Sequence, residues 1–123
     1  MRTDIEYLSV TQLTDLYRAG SLSPVAATEA ALAAIAARDS ELNAFQLVDQ
    51  AAALDAARQS ERCWRAKSPL SPLDGVTVSV KDLLLTQGWL TLRGSKLTDP
   101  EQPWEEDAPA VARLRAAGAV LIG

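Results

Sequence analysis

The chain has 123 residues, of which 48% are hydrophobic and 23% are charged, with a formal net charge of −4 and no histidine. This composition is typical of a globular domain and argues against a basic nucleic-acid-binding module. Without histidine, the chain itself can form no Ser-His-Asp or Cys-His catalytic group and no histidine-containing zinc site. A single cysteine also excludes an internal disulfide and a four-cysteine metal site, so the fold requires no oxidising compartment.

Neither a membrane span nor a signal peptide is evident in the sequence. No stretch approaches the roughly 18 consecutive apolar residues that a spanning helix needs. The first residues, MRTDIE, are of mixed charge and precede no apolar run. We therefore expect a cytoplasmic protein without a membrane partner.

The first predicted element is a helix over about residues 10–19. Ser9 and Gln12 have the spacing of a capping box, in which the two side chains bond each other's backbone N–H groups. An apolar stripe follows at helical spacing, and Gly20 is a suitable residue for the end of the helix.

A second helix, a short strand and a third helix follow in the prediction. The pair Ser23-Pro24 is a helix start, and apolar residues recur at helical spacing over about 24–38. Residues 44–48 alternate weakly in hydropathy and are predicted to form a short strand. Asp49 is then a candidate N-cap for a third helix over about 50–67.

The third predicted helix has a basic cluster, Arg58, Arg62, Arg65 and Lys67. The cluster is either a nucleic-acid interface or a solvated helix face beside acidic neighbours. The acidic total charge favours the solvated face, so no nucleic-acid partner is expected. Cys63, on the same helix, is interpreted as a packing residue because no histidine is present to activate its thiol.

The composition changes after the third helix. Residues 68–75 begin with two prolines and two serines within five positions, which cannot continue a helix. We expect this loop to separate a mainly helical part, residues 1–67, from the start of an α/β core over 76–123. Residues 76–80 alternate valine with hydroxyl residues and form the clearest predicted strand.

A strand-helix-strand unit completes the prediction. Residues 81–107 are expected to be irregular, and Asp107 is the candidate N-cap of a helix over 108–117. Residues 119–122 are apolar throughout, as in buried parallel strands. The fold class is therefore α/β, with the early helices packed on or beside the sheet. Because two or three strands are fewer than the usual five or six, we expect the chain to be the front part of a larger domain.

Lys81 is the candidate catalytic residue. It directly follows the valine strand, and alternation places it on the same face as Thr77 and Ser79. Functional sites of α/β folds lie at this end of their strands, and a neutral lysine amine is a competent general base for a serine. The simpler interpretation is a solvated charge at a strand end. Ser79 as the nucleophile is disfavoured, because we expect a side chain within a paired strand to be poorly accessible to a substrate.

Three segments resemble motifs of the amidase signature family, and they occur in the family's order. Residues 72–82 read PLDGVTVSVKD and resemble its first motif, which ends in Lys-Asp. Residues 88–95, GWLTLRGS, resemble the following loop, which ends in Gly-Ser. Residues 106–123, EDAPAVARLRAAGAVLIG, are similar to its Glu-Asp-Ala helix and Ala-Gly-Ala strand. The resemblance extends over about residues 8–123.

The resemblance implies a Ser-cisSer-Lys mechanism on a small-molecule amide, in which Lys81 is the base. It acts through a bridging serine on a nucleophilic serine, and both serines would lie beyond residue 123. No cofactor and no metal are implied, and the full-length protein is a possible homodimer. Since two triad members are missing, we expect residues 1–123 alone to be inactive.

Two alternatives remain open. The first is a truncated, non-catalytic remnant that serves as an interaction module. The second lies within the enzyme class: the A subunit of an aminoacyl-tRNA amidotransferase, which shares these motifs and releases ammonia from glutamine. The motifs do not select among aliphatic, aryl, urea-like and peptide amides, because the substrate-selecting residues are expected downstream.

Overall fold

Helices make up most of the first half of the chain, and two short strands lie in the second half. The computed structural model describes residues 4–123. A short 3-10 helix, Ile5–Tyr7, precedes three α-helices, one strand, a fourth helix and a second strand. The α-helices are α1, Val10–Ala19; α2, Pro24–Leu42; α3, Gln50–Arg65; and α4, Pro109–Ala116; the strands are β1, Thr77–Val78, and β2, Val120–Leu121.

The start of α1 is confirmed in detail. The Ser9 hydroxyl accepts a hydrogen bond from the Gln12 N–H at 3.2 Å, and the Gln12 side chain accepts one from the Ser9 N–H at 2.8 Å. This reciprocal pair is the predicted capping box, and Gly20 is the C-cap. The interactions are local in sequence, which is why the pattern alone located this helix.

The second helix is longer than predicted. It continues to Leu42 rather than ending near residue 38, and Asn43 ends it in the left-handed conformation with φ 48°. The Asp39 carboxylate does not break the helix, because it accepts hydrogen bonds from the Ala44 and Phe45 N–H groups beyond the helix end. Although α2 is 19 residues long, no helix formed by residues 4–123 has the length and apolarity to cross a membrane.

The predicted strand over residues 44–48 is wrong. This segment is irregular, with a bend at Gln46. Within residues 4–123, one backbone hydrogen bond forms beside it, from the N–H of Asp49, directly after the segment, to the carbonyl of Ile122, directly after β2, at 3.0 Å. A strand requires a repeated ladder of such bonds. The weak alternation instead reflects packing, since Phe45 and Leu47 contribute to two different hydrophobic clusters.

The predicted strand-helix-strand unit is confirmed. Strands β1 and β2 are parallel, with Thr77 opposite Val120 and Val78 opposite Leu121. Each regular strand is only two residues long, shorter than the predicted 76–80 and 119–122. Further backbone bonds extend the contact at the carboxyl end, where the Val80 N–H donates to the Gly123 carbonyl at 2.7 Å.

The core has two layers, one on each face of the sheet. On one face, Val120 and Ile122 pack against Ala53 and Ala57 of α3, all four being buried. On the other face, Leu121 packs with Val111 of α4 and with the indole ring of Trp89, which lies in the loop between β1 and α4. The alternation of β2 therefore divides its side chains between α3 and α4.

The predicted N-cap of α4 is wrong. Ala108, not Asp107, occupies the cap position and makes no side-chain cap bond. The Asp107 carboxylate instead accepts from the Gln87 N–H at 2.7 Å and from Arg115 Nε at 2.8 Å. Tertiary folding brings these two donors, one from the loop and one from the last turn of α4, beside the Asp107 carboxylate. The carboxylate therefore bonds them and makes no cap bond to the start of α4.

Candidate functional site

The turn before β1 is joined to three other elements by hydrogen bonds. The Tyr17 hydroxyl of α1 donates to the Gly75 carbonyl at 3.0 Å, and the Trp64 indole of α3 donates to the Asp74 carbonyl at 3.0 Å. The Gly75 N–H donates to the Gly118 carbonyl, between α4 and β2, at 2.9 Å. Burial raises the pKa of Tyr17 above its ordinary value near 10, so its hydroxyl remains a donor into the alkaline range. The start of β1 is therefore held by α1, α3 and the turn before β2.

A glycine is required at position 75 by both conformation and space. Its φ is 82°, in the left-handed region that side chains rarely adopt. A Cβ atom built there would lie 2.5 Å from Ser60 Oγ and 2.9 Å from the ring of Pro24. The glycine of the PLDGVTVSVKD segment thus allows α2, α3 and the start of β1 to approach one another closely.

Lys81 lies just beyond the sheet, where the chain turns sharply. Its carbonyl accepts from the Leu83 N–H at 2.6 Å and from the Leu84 N–H at 3.1 Å. The Lys81 side chain is exposed and lines an open cleft of about 500 Å³. Ser79 lines the same cleft and is also exposed, so the expectation that it is poorly accessible is wrong. The structure thus brings these two predicted candidates to one cavity.

The loop over residues 81–107 is irregular, as predicted, yet it is ordered by its own hydrogen bonds. The Asp82 carboxylate accepts from the Leu92 N–H at 3.0 Å. Buried hydroxyls of Thr86 and Thr91 both donate to the Leu84 carbonyl, at 3.2 and 3.4 Å. Asp82, the residue after Lys81, therefore links the start of the loop to its middle part.

Sequence reasoning missed one contact at the cleft. Trp89, which is 9% exposed, lines the cleft, and its indole N–H donates at 2.8 Å to Oδ2 of Asp49, which lies outside this cleft and lines a second one together with Trp89. The sequence predicts Asp49 only as the cap of α3, a role that its other oxygen fulfils by accepting from the Ala52 N–H at 3.1 Å. The two residues are 40 positions apart, and no local pattern pairs them.

The remaining predicted candidates lie away from the cleft. On α3, Arg58 pairs with Asp55 at 2.8 Å and Arg65 with Glu61 at 3.4 Å, with the arginine side chains exposed. This pairing supports the interpretation of the basic cluster as a solvated helix face. Cys63 is half-buried and carries a free thiol. Among residues 4–123, no group of three or more Cys, Asp or Glu side chains is placed to hold a metal ion.

The cleft combines an amine with nearby hydroxyls and an apolar wall. Its polar lining includes Lys81, Ser79, Asp82 and Thr91, and its apolar lining includes Phe45 and Trp89. A lysine amine can serve as the general base for a hydroxyl nucleophile. The cleft therefore contains the residue types, an amine and hydroxyls, that general-base catalysis uses.

Comparisons with known proteins identify the family. Residues 26–123 match the family model described as Amidase. The chain is 45% identical over 122 residues to the A subunit of the glutamyl-tRNA(Gln) amidotransferase of Salinispora tropica, covering 98% of this chain and 24% of that protein. The chain thus spans about a quarter of the length of the curated relatives it matches.

Solved structures agree with that result. The native peptide amidase of Stenotrophomonas maltophilia superposes with a TM-score of 0.86 at 32% identity, covering 95% of this chain and 24% of the amidase. A crystal structure of another amidase superposes with a TM-score of 0.83 at 34% identity, covering 94% of this chain and 26% of that one. The helices and the small parallel sheet correspond to the N-terminal part of these folds, and the chain belongs to the amidase signature family.

Proposed function

We propose that this chain forms the N-terminal part of a single amidase-type domain and supplies its base, Lys81, for cleavage of a carboxamide C–N bond. The observation that carries the proposal is the position of Lys81, exposed in an open cleft at the carboxyl end of β1 and within the PLDGVTVSVKD motif. The nucleophilic and bridging serines would come from a segment beyond residue 123.

The proposed reaction has an acylation and a hydrolysis step. Neutral Lys81 accepts a proton from the bridging serine, which in turn takes the proton of the nucleophilic serine. The serine oxygen bonds to the carboxamide carbon, the C–N bond breaks, and the proton passes to the leaving nitrogen. Water then releases the acid from the acyl-serine. This proton relay needs no histidine, which agrees with the composition of the chain.

The rigid surroundings of Lys81 support the base role. Its strand is held at the start by hydrogen bonds to Gly75 and at the end by the bond between Val80 and Gly123. A base must be placed within hydrogen-bond reach of its proton donor, so a fixed backbone on both sides favours catalysis.

A second candidate is a glutamine-specific member of the same class, the A subunit of an aminoacyl-tRNA amidotransferase. The observation that favours it is the 45% identity to the relative from Salinispora tropica, against 32% and 34% for the two amidases of known structure. In this role the carboxamide is that of glutamine, the released ammonia passes to a partner protein, and Lys81 keeps the same task.

The first experiment is to read the coding frame past Gly123 and express the complete product. A frame that continues into a serine-containing segment supports the enzyme, whereas a stop codon supports the alternative of a non-catalytic interaction module. Light scattering of the product, alone and with candidate partner proteins, would distinguish a homodimer from one component of a larger assembly.

The second experiment measures ammonia release by the complete product from L-glutamine, propionamide and benzamide. Preference for glutamine would favour the amidotransferase role, and preference for a simple amide would favour a stand-alone amidase. Lys81→Ala should abolish turnover. Ser79→Ala, a matched change in the same cleft, should retain it within a few-fold, because Ser79 is not the proposed nucleophile. Full activity of Lys81→Ala would contradict the proposal.

A further inference from the structure

The Trp89 ring is a fixed part of the wall of the Lys81 cleft. It packs in one hydrophobic cluster with the buried side chains of Val111 and Leu121. Its indole N–H is not left to solvent, because it donates to the Asp49 carboxylate at 2.8 Å. Hydrogen bonds to a charged acceptor are among the stronger ones in proteins. The ring is therefore held by both packing and a directed bond.

Asp49 is a rigid acceptor for this bond. One carboxylate oxygen accepts from the Ala52 N–H in the first turn of α3, and the other accepts from Trp89. The Asp49 backbone N–H donates to the carbonyl of Ile122, directly after β2. A single residue thus connects the start of α3, the end of β2 and the loop.

Hydrogen bonds continue from Trp89 to the turn of Lys81. The backbone N–H of Trp89 donates to the Thr86 carbonyl at 3.0 Å, and the Thr86 hydroxyl donates to the Leu84 carbonyl at 3.2 Å. The Leu84 N–H donates to the Lys81 carbonyl at 3.1 Å. Every residue in this series also lines the cleft.

We propose that Asp49 and Trp89 form a positioning pair that keeps the loop residues lining the cleft at a fixed position relative to Lys81. This inference rests on the proposed function. Neither side chain transfers a proton. Their bond fixes the loop against the strand-helix scaffold, so that a substrate bound in the cleft meets the lysine in one geometry. Small displacements of reacting groups cost large factors in rate, which makes such a pair consequential.

Two single changes remove this bond: Asp49→Asn does so with little other disturbance, whereas Trp89→Phe also removes part of the ring's packing. Asp49→Asn keeps an oxygen for the Ala52 N–H, since asparagine caps helices as well as aspartate, but its amide group cannot accept from the indole. Trp89→Phe keeps an aromatic ring and removes the N–H donor. Trp104→Phe is the matched control, because the Trp104 indole donates to the Pro100 carbonyl within the loop at 3.2 Å and does not line the cleft.

In the complete product, Asp49→Asn and Trp89→Phe should each lower kcat for the best of the three carboxamides about tenfold, with a smaller change in KM. The double variant should be no slower than the slower single variant, because both changes remove one shared interaction. Trp104→Phe should retain the kcat of the wild type. Additive losses in the double variant, or unchanged kcat in both single variants, would overturn the inference.

The same variants separate this inference from the proposed function. If Lys81→Ala is inactive while Asp49→Asn and Trp89→Phe are fully active, the positioning pair is wrong and the base assignment stands. If the wild type cleaves none of the carboxamides, the proposed function fails, and hydrogen exchange of residues 82–92 decides the inference. Faster exchange in both single variants but not in Trp104→Phe would support the pair, and unchanged exchange would contradict it.

Discussion

The turn before β1 and the loop after it differ in how they are stabilised. The turn is packed on all sides: Tyr17 and Asp74 are 3% and 1% exposed, and Gly75 has no room for a side chain. The loop over residues 81–107 leaves large apolar side chains in solvent, with Leu83 at 51% and Leu97 at 97% exposure. Both regions adjoin the same short strand.

The difference shows that one short strand separates a tightly packed junction from an open cleft and its partly exposed loop. The junction fixes the direction of β1 through close contacts among α1, α2 and α3. The loop is held by backbone and carboxylate hydrogen bonds, which specify its path while leaving the cleft open. Exposed apolar groups on a loop of this kind are typical of surfaces that contact a ligand or further protein.

The largest expected effect is on activity and tests the functional side of this comparison. In the complete product, Lys81→Arg should lower kcat about 10²–10⁴-fold, as expected for loss of a general base. Arginine retains the positive charge but does not release its proton near neutral pH. Lys96→Arg, on the exposed outer part of the loop, is the control and should leave kcat unchanged. Wild-type turnover by Lys81→Arg would mean that Lys81 is only a solvated charge.

The next effect is on stability and tests the junction. Gly75→Ala should lower the free energy of unfolding by about 2–5 kcal/mol, combining the left-handed backbone penalty with overpacking against Ser60 and Pro24. Gly88→Ala in the loop is the matched control, since Gly88 has a similar φ of 83° but no atom near the added Cβ. It should cost only about 1–2 kcal/mol. Equal losses in denaturant unfolding would show that the junction is not unusually tight.

A smaller effect tests the hydrogen bond from α1 to the junction. Tyr17→Phe should lower the free energy of unfolding by about 1–3 kcal/mol at neutral pH, because the Gly75 carbonyl loses its donor in a buried site. Tyr7→Phe, at a ring that is 70% exposed, should change it by less than about 0.5 kcal/mol. Comparable losses in the two variants would contradict the role given to this bond.

The same tyrosine predicts a dependence on alkaline pH. Burial raises the pKa of Tyr17 in the folded state above its ordinary value near 10. Above pH 10 the unfolded chain therefore loses this proton first, and the stabilisation present below pH 10 is progressively lost as pH rises. Urea unfolding at several alkaline pH values should show this decline in the wild type and a shallower one in Tyr17→Phe.

The smallest effect is expected at Leu97, and Leu13 is the buried leucine with which it is compared. Leu97→Ala in the loop should change the free energy of unfolding by less than about 0.5 kcal/mol, because the side chain is 97% exposed. Leu13→Ala in α1, where the side chain is 8% exposed in the cluster with Tyr17, should cost about 2–5 kcal/mol. A large loss at Leu97 would show that this leucine is covered by protein in solution.

Much of the fold could be predicted because its determinants are local. The capping box of Ser9 and Gln12 and the cap at Asp49 join groups three residues apart, and sequence spacing reveals them directly. The apolar periods predicted the helices, and the alternating run over 76–80 and the apolar run over 119–122 predicted the parallel strands. Lys81 is a candidate base because it follows such a strand within a motif that resembles a known family.

The remaining features depended on partners distant in sequence. Residues 44–48 have the alternation of a strand but obtain no ladder, and the Asp107 carboxylate bonds Gln87, 20 residues away, instead of capping α4. Asp49 meets Trp89 across 40 residues, and Tyr17 meets Gly75 across 58. The sequence by itself therefore determined the helices, the strand-helix-strand order and the candidate base. Only the tertiary structure decided which carboxylate and hydroxyl groups satisfy which donors and acceptors, because long-range packing sets those distances.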